Sequence, residues 1–259
     1  MIVNPAVGRS SVVKVIASYS VKGGVGKTSA AVNIAWLAAR SGRRTLLWDL
    51  DPQAASTYLL RTKAKVKGGS RKLLQGKSEV SSAIRATTDE RLDVLPASSS
   101  YADTDLDLAA AKKSEERVGK ALEEVSDDYD VAILDCPPGL TLLSTNIVRA
   151  ADLLLTPIVP SPLSMRTLDQ LVDLVGECGG KARILAFLSM VDRRRALHRD
   201  VIELVHGSYG DIATTVVPMS ATVERMGQRR RPVPAYAPSS PATAAYLALW
   251  DEIVERLPL

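Results

Sequence analysis

"SVKGGVGKTS", residues 20–29, decides how the chain is read. A phosphate-binding loop follows the pattern G-x-x-x-x-G-K-[ST]. Gly26, Lys27 and Thr28 complete the end of that pattern. Val21 stands where its first glycine belongs, and Lys22 follows. The apolar run "VVKVIASYS" (12–20) leads into the loop, and "TSAAVNIAWLAARSG" (28–42) reads as a helix stopped by Gly42. A glycine-rich turn between a strand and a helix presents backbone N–H groups and the positive end of the helix dipole to an anion. Gly23, Gly24, Val25 and Gly26 supply that backbone, and Lys27 is placed to reach terminal phosphates. The Thr28 hydroxyl is suited to Mg²⁺, and Ser29 to the innermost phosphate.

Outward from the loop, apolar runs recur without alternation. They are "RRTLLWDLD" (43–51), "DVAILDCPPG" (130–139), "DLLLTPIVP" (152–160), "ARILAFLSMVD" (182–192) and "IATTVVP" (212–218). Such runs fit strands covered on both faces. Helical patterns fall between them at 105–126, 164–178, 196–207 and 241–257. Strand–helix alternation implies right-handed crossovers and a doubly wound, mostly parallel α/β sheet flanked by helices. Functional groups then gather at the carboxyl ends of the strands, where the loop, Asp49, Asp51 and Asp135 all fall. Asp135, ending an apolar strand, is suited to hold magnesium through its water shell.

The chain has 259 residues, 46% hydrophobic, enough for a sizeable core. It shows no internal repeat or domain linker and is expected to form one domain, with an N-terminal extension at 1–11. Residues 61–77, rich in Lys, Arg and Gly, are expected to form a mobile basic insertion. No apolar run reaches the roughly 18 residues needed to span a bilayer, and no signal peptide is legible. The polar side of residues 242–259 is acidic, unlike a membrane-surface helix. Two cysteines, Cys136 and Cys178, suit a reducing compartment, so a cytoplasmic location is expected. The net charge of +4 permits a polyanionic partner.

"KGGVGKTS" (22–29), "LLWDLDPQAAS" (46–56) and "YDVAILDCPPGL" (129–140) together resemble the nucleotide motifs of the ParA/MinD family of deviant Walker-A P-loop ATPases, nearest to its ParA (Soj)-type partition members. The resemblance implies ATP and Mg²⁺ as cofactors and slow, partner-stimulated hydrolysis. It gives the early lysine, here Lys22, a role: reaching across a homodimer to the partner's nucleotide. It implies that Asp51 orients the attacking water and that Asp49 lies near the magnesium shell. It places adenine against Pro218 and Ser220, although "VVPMSATVERM" (216–226) departs from the family's usual wording. It also implies non-specific DNA binding by the ATP-bound dimer, placing it on the nucleoid, and a ParB-like activating adaptor. The basic clusters suited to phosphate contact are Arg193 and Arg194, and Arg229, Arg230 and Arg231. The competing expectations are a MinD-like switch at a membrane and an accessory ATPase that gates a protein partner without DNA.

Overall fold

The computed structural model describes residues 13–64, 69–98, 104–208 and 212–259. The expected N-terminal extension, and Lys65 and Lys67 of the basic stretch, lie outside the described residues. The strands are β1 (Lys14–Ser18), β2 (Thr45–Asp49), β3 (Arg85–Ala86), β4 (Leu92–Leu95), β5 (Val131–Asp135), β6 (Leu153–Ile158), β7 (Arg183–Val191) and β8 (Ile212–Pro218). They form one sheet in the order β3-β4-β2-β5-β1-β6-β7-β8. Every pairing is parallel except β3 with β4. The doubly wound α/β expectation is met.

The helices are α1 (Lys27–Arg40), α2 (Ala55–Leu59), α3 (Gly69–Leu74), α4 (Thr104–Ala109), α5 (Arg117–Glu123), α6 (Leu142–Ala150), α7 (Pro162–Glu177), α8 (Ala196–Ser208), α9 (Ala221–Glu224), α10 (Met226–Arg229), α11 (Val233–Tyr236) and α12 (Pro241–Arg256). Alternate residues of β1 point to opposite faces of the sheet. Val15 and Ala17 pack with Leu143, Ile147 and Val148 of α6. Ile16 packs on the other face with Ile34 and Ala38 of α1 and Leu249, Trp250 and Ile253 of α12. Small residues along α1 let the helix lie close to the sheet, which brings its first turn over the ends of β1 and β5.

One expected helix needs correction, and three further elements, α3, β3 and β4, fall outside the expected pattern. The helical pattern at 105–126 is two helices, α4 and α5, with Lys113 in the left-handed region between them. The start of α5 is fixed from a distance. The buried Asn146 of α6 accepts hydrogen bonds from the Arg117 and Val118 N–H groups through its Oδ1. The basic stretch at 61–77 is not irregular throughout, because α3 runs through it and buries Leu73 and Leu74 in the core. Finally, β3 and β4 were not expected. "LDVL" (92–95) extends the sheet beside β2.

Candidate active site

Strand register creates the site. Ser18 of β1 lies opposite Asp135 of β5, and Asp135 lies opposite Asp49 of β2. Three adjacent strand ends therefore carry one polar row directly below the loop at 20–27. Gly24 (φ +71°) and Gly26 (φ +100°) adopt left-handed backbone that side chains disfavour. A Cβ on Gly26 would also lie 2.9 Å from the Ser189 Oγ. The loop is pinned at its base, where the Ser18 Oγ donates to the Lys27 carbonyl at 2.8 Å and the Gly139 N–H donates to the Val21 carbonyl at 3.0 Å.

A cleft of about 630 Å³ opens above this row. Its walls include Gly23, Gly24, Gly26, Lys27, Thr28 and Ser29 of the loop, Asp51, Pro52 and Gln53 after β2, and Pro137 and Pro138 after β5. The Lys27 amine is buried and donates to the Lys22 carbonyl at 2.8 Å. Burial lowers its pKa, with Asp135, Cys136 and Asp51 opposing that shift.

The two buried carboxylates differ in what they have left to offer. The Asp49 Oδ1 accepts from the Asp51 N–H at 3.2 Å, and its Oδ2 accepts from the Thr57 N–H at 2.8 Å and the Thr57 hydroxyl at 2.7 Å. The Asp135 Oδ2 accepts from the Ser56 hydroxyl at 2.5 Å. The Asp135 Oδ1 is buried without a hydrogen-bond partner. Burial pushes the Asp135 carboxyl up to about 7, with Asp49 adding repulsion and Ser56 and Thr28 opposing it. Asp49 rises to about 6, chiefly by burial, with Thr57 resisting. A buried carboxylate oxygen left unpaired beside a hydroxyl and a lysine fits a hydrated divalent cation.

This electrostatic arrangement has a measurable consequence. A carboxyl raised in the folded state binds more protons folded than unfolded, so stability falls as pH climbs from the ordinary value near 4 towards 7. Asp135→Asn removes that penalty. In EDTA at pH 8 the variant is expected to melt roughly 5 °C higher than the wild type, a gain of about 2 kcal/mol. Near pH 4 the difference is expected to vanish. Calorimetry at both pH values checks this, and a variant no more stable at pH 8 would contradict it.

Comparison with known proteins agrees with the geometry. Residues 13–184 match the family model described as an AAA domain. The chain is 35% identical to the sporulation initiation inhibitor protein Soj of Bacillus subtilis over 247 residues, covering 93% of this chain and 98% of Soj. It is 31% identical to the chromosome partitioning protein ParA of Caulobacter vibrioides over 252 residues, with 94% of each chain covered. The chain belongs to the ParA/MinD family of P-loop ATPases. Among solved structures it resembles cobyrinic acid a,c-diamide synthase from Mycobacterium smegmatis with bound ATP analogue and magnesium. There the TM-score is 0.81 and the identity 26%, covering 96% of this chain and 98% of the other. The Cyanothece McdA(D38A)–ATP complex shares the fold at TM-score 0.82 and 18% identity, covering 96% of this chain and 98% of that one.

Within this ParA/MinD-type ATPase the expected residues separate into groups. The loop residues 23, 24 and 26–29 and Asp51 converge on the cleft. Asp49 and Asp135 lie in the row beneath it. Val25 is buried, and Lys22 and Val25 line a small hollow with Thr156, Ile158, Thr167 and Leu168. Lys22 does not line the cleft of its own chain. Pro218 borders a second cleft of about 520 Å³, with Asp192, Arg193, Arg194 and Met219. The Ser220 hydroxyl accepts from the Thr222 N–H as the cap of α9. Arg193, Arg194, Arg229 and Arg231 are all exposed, and Arg194 is in addition held by Asp192 through two contacts of 2.9 Å.

Sequence reasoning passed over Ser56, Thr57, Gln53 and Met190. The two hydroxyls in "AAST" (54–57) stand just past the turn that follows the acidic strand end, and that proximity is the signal that points to them. Met190 lines the cleft from the end of β7 and has φ +55°, unusual for a residue with a Cβ.

Proposed function

We propose that the chain is an ATP-dependent switch that dimerises around Mg²⁺–ATP, binds DNA without sequence preference and positions DNA or another large cargo. The buried, unpaired Asp135 Oδ1 beside Thr28 and Lys27 carries this reading, because it supplies the cation acceptor that a triphosphate site needs. The Mycobacterium smegmatis relative holds an ATP analogue and magnesium on the same fold, which supports the same pair here. Magnesium held by Thr28 and Asp135 would neutralise phosphate charge. The chain's own residues do the rest. Backbone N–H groups of residues 23–29 hold phosphate, Lys27 neutralises it, Thr28 and Asp135 hold the cation shell, and Asp51 orients the attacking water. Asp49, saturated by Thr57 and Asp51, fixes the backbone of residue 51. Lys22 acts on the partner's nucleotide, in keeping with its place outside its own cleft. A ParB-like adaptor stimulates hydrolysis.

Membrane association is the weaker reading. The apolar face of α12 is already spent on the core through Tyr246, Leu249, Trp250 and Ile253. Among the described residues no helix is long and apolar enough to cross a membrane.

DNA contact falls to the exposed Arg193, Arg229 and Arg231 in preference to the paired Arg194 and the partly buried Arg230. The test combines light scattering with DNA retention. With a non-hydrolysable ATP analogue and Mg²⁺ the wild type is expected to double in mass and to retain DNA in a salt-sensitive way. Arg229→Ala with Arg231→Ala removes four cations per dimer and is expected to flatten the log–log salt slope by roughly 3 to 4. Lys22→Ala is expected to bind nucleotide as a monomer yet fail to dimerise. A wild type that stays monomeric with analogue bound would defeat the switch, and an unchanged salt slope would defeat the choice of DNA face.

A further inference from the structure

The short helix α2 touches both the cleft and the segment that carries the late arginines, a segment that α1 reaches separately where Asn33 donates to the Met226 Sδ and accepts from the Val233 N–H. At its first turn, Ser56 donates to Asp135 and Thr57 donates twice to Asp49. The Thr57 hydroxyl also accepts from the Ala97 N–H at 2.9 Å, which anchors it beyond the end of β4. Ser56 and Thr57 are fully buried. The residues leading into α2, Asp51, Pro52 and Gln53, line the cleft directly. The helix therefore meets the cleft both through its chain and through the buried carboxylates.

At its other end α2 grips the segment that carries the late arginines. The Arg230 guanidinium carbon sits 4.4 Å from the centroid of the Tyr58 ring, and its Nε donates to the Tyr58 carbonyl at 2.9 Å. Arg61 returns the contact, donating to the carbonyls of Arg229 and Arg230 at 3.2 Å each. The clasp spans about 170 residues of sequence, and both of its halves use charged donors, which make the stronger hydrogen bonds.

The backbone around the clasp is unusual as well. Among the described residues six non-glycine residues have positive φ. Three of them belong here: Ala54 (φ 56°) opens α2, Arg61 (φ 58°) follows its end, and Arg230 (φ 50°) closes α10. Left-handed backbone at residues with a Cβ persists where surrounding contacts hold it. Here those contacts come from the cleft on one side and from the arginine segment on the other.

We propose that α2 is a two-ended positioning element. Ser56 and Thr57 register the state of the cleft's carboxylates, and Tyr58 and Arg61 carry that position to residues 226–231. The proposal rests on the nucleotide-switch reading and adds its internal route. Asp135 keeps one oxygen for the cation and gives the other to Ser56. Occupation of the cleft holds Asp135 and the turn at 51–53 more tightly, and with them the first turn of α2, which Ser56 and Thr57 tie to the two carboxylates. A rigid single turn transmits that order to its last residues, and the clasp passes it to α10. Coupling of this kind needs a physical element that both sites bias, and α2 meets both.

Amide hydrogen exchange on the full chain, with and without Mg²⁺ and a non-hydrolysable ATP analogue, tests the route. Binding is measured separately by displacement of a fluorescent ATP analogue. In the wild type the nucleotide is expected to slow exchange at α2 and, by about threefold or more, at the amides of residues 226–230. Tyr58→Ala with Arg61→Ala cuts the clasp. That variant is expected to bind nucleotide with wild-type affinity and to keep the slowing at α2, while losing it at 226–230. Ser56→Ala is expected to diminish the slowing at both places. Slowing at 226–230 that survives loss of the clasp would overturn the proposal, as would a wild type that binds the analogue without any change there. Failure of the wild type to bind the analogue at all would instead remove the parent reading, and this one with it.

Discussion

Lys27→Ala is expected to weaken Mg²⁺–ATP binding by at least about a hundredfold, and hydrolysis is expected to disappear with it. The side chain is buried and its amine is held 2.8 Å from the Lys22 carbonyl, so the cation sits at a fixed point of the cleft wall. Charge-assisted hydrogen bonds contribute roughly 1.5–3 kcal/mol each, and losing two of them accounts for a hundredfold or more. Arginine is no substitute. Its planar fork is longer and needs different acceptor geometry, so Lys27→Arg is expected to fail as well. The loss is expected to be functional and not a failure to fold. Burial lowers the Lys27 pKa, so the folded state disfavours the charged amine and the alanine variant removes that penalty. The nucleotide-free variant is therefore expected to melt at or above the wild-type temperature. Equilibrium binding of a fluorescent ATP analogue, with thermal melting of the free protein alongside, checks both halves. Retained affinity in the alanine variant would take Lys27 out of the phosphate site.

What the sequence revealed about this site follows from how local each signal is. The loop needs a strand, a glycine turn and a helix in direct succession, and one unbroken run, residues 12–42, carries all of it. Asp135 was legible because an apolar run ends at it. Ser56 was not legible as its partner, since that hydrogen bond joins residues 79 apart and depends on the register of β5 beside β2. The same holds for the break between α4 and α5, where Asn146 of another helix supplies the cap that ends the periodic pattern. Strand β4 is only four residues long, and β3 is two, so neither leaves a pattern that stands out from a loop. Helix α3 was hidden by composition. Its neighbourhood is rich in Lys and Gly, while its two core leucines lie adjacent and show no helical period. The expected adenine contacts, Pro218 and Ser220, stand on a short strand-to-helix turn where one residue's use as a helix cap is decided by backbone geometry.

Asp51 gives the sharpest separation between binding and chemistry. Its Oδ1 accepts from the Gln53 N–H at 2.9 Å, and its own N–H donates to Asp49, so the side chain and the backbone of the turn are held together. The residue lines the cleft beside Lys27 and Thr28. Orienting a nucleophile through a charged side chain contributes roughly 10²–10⁴ in rate, with little effect on ground-state binding. Asp51→Asn is the informative change, because the amide oxygen still accepts from the Gln53 N–H and the turn keeps its shape. It is expected to lower hydrolysis by about a hundredfold or more while ATP affinity stays within a few-fold. The ATP-bound dimer then accumulates, visible as a doubled mass that persists with ordinary ATP in place of an analogue. Asp51→Ala loses the charge and the turn together, and is expected to match the rate defect while also loosening residues 51–53. Single-turnover hydrolysis and light scattering, run side by side on the two variants, separate these effects. Wild-type turnover by the asparagine variant would show that another group handles the water, because in that variant only the charge has changed.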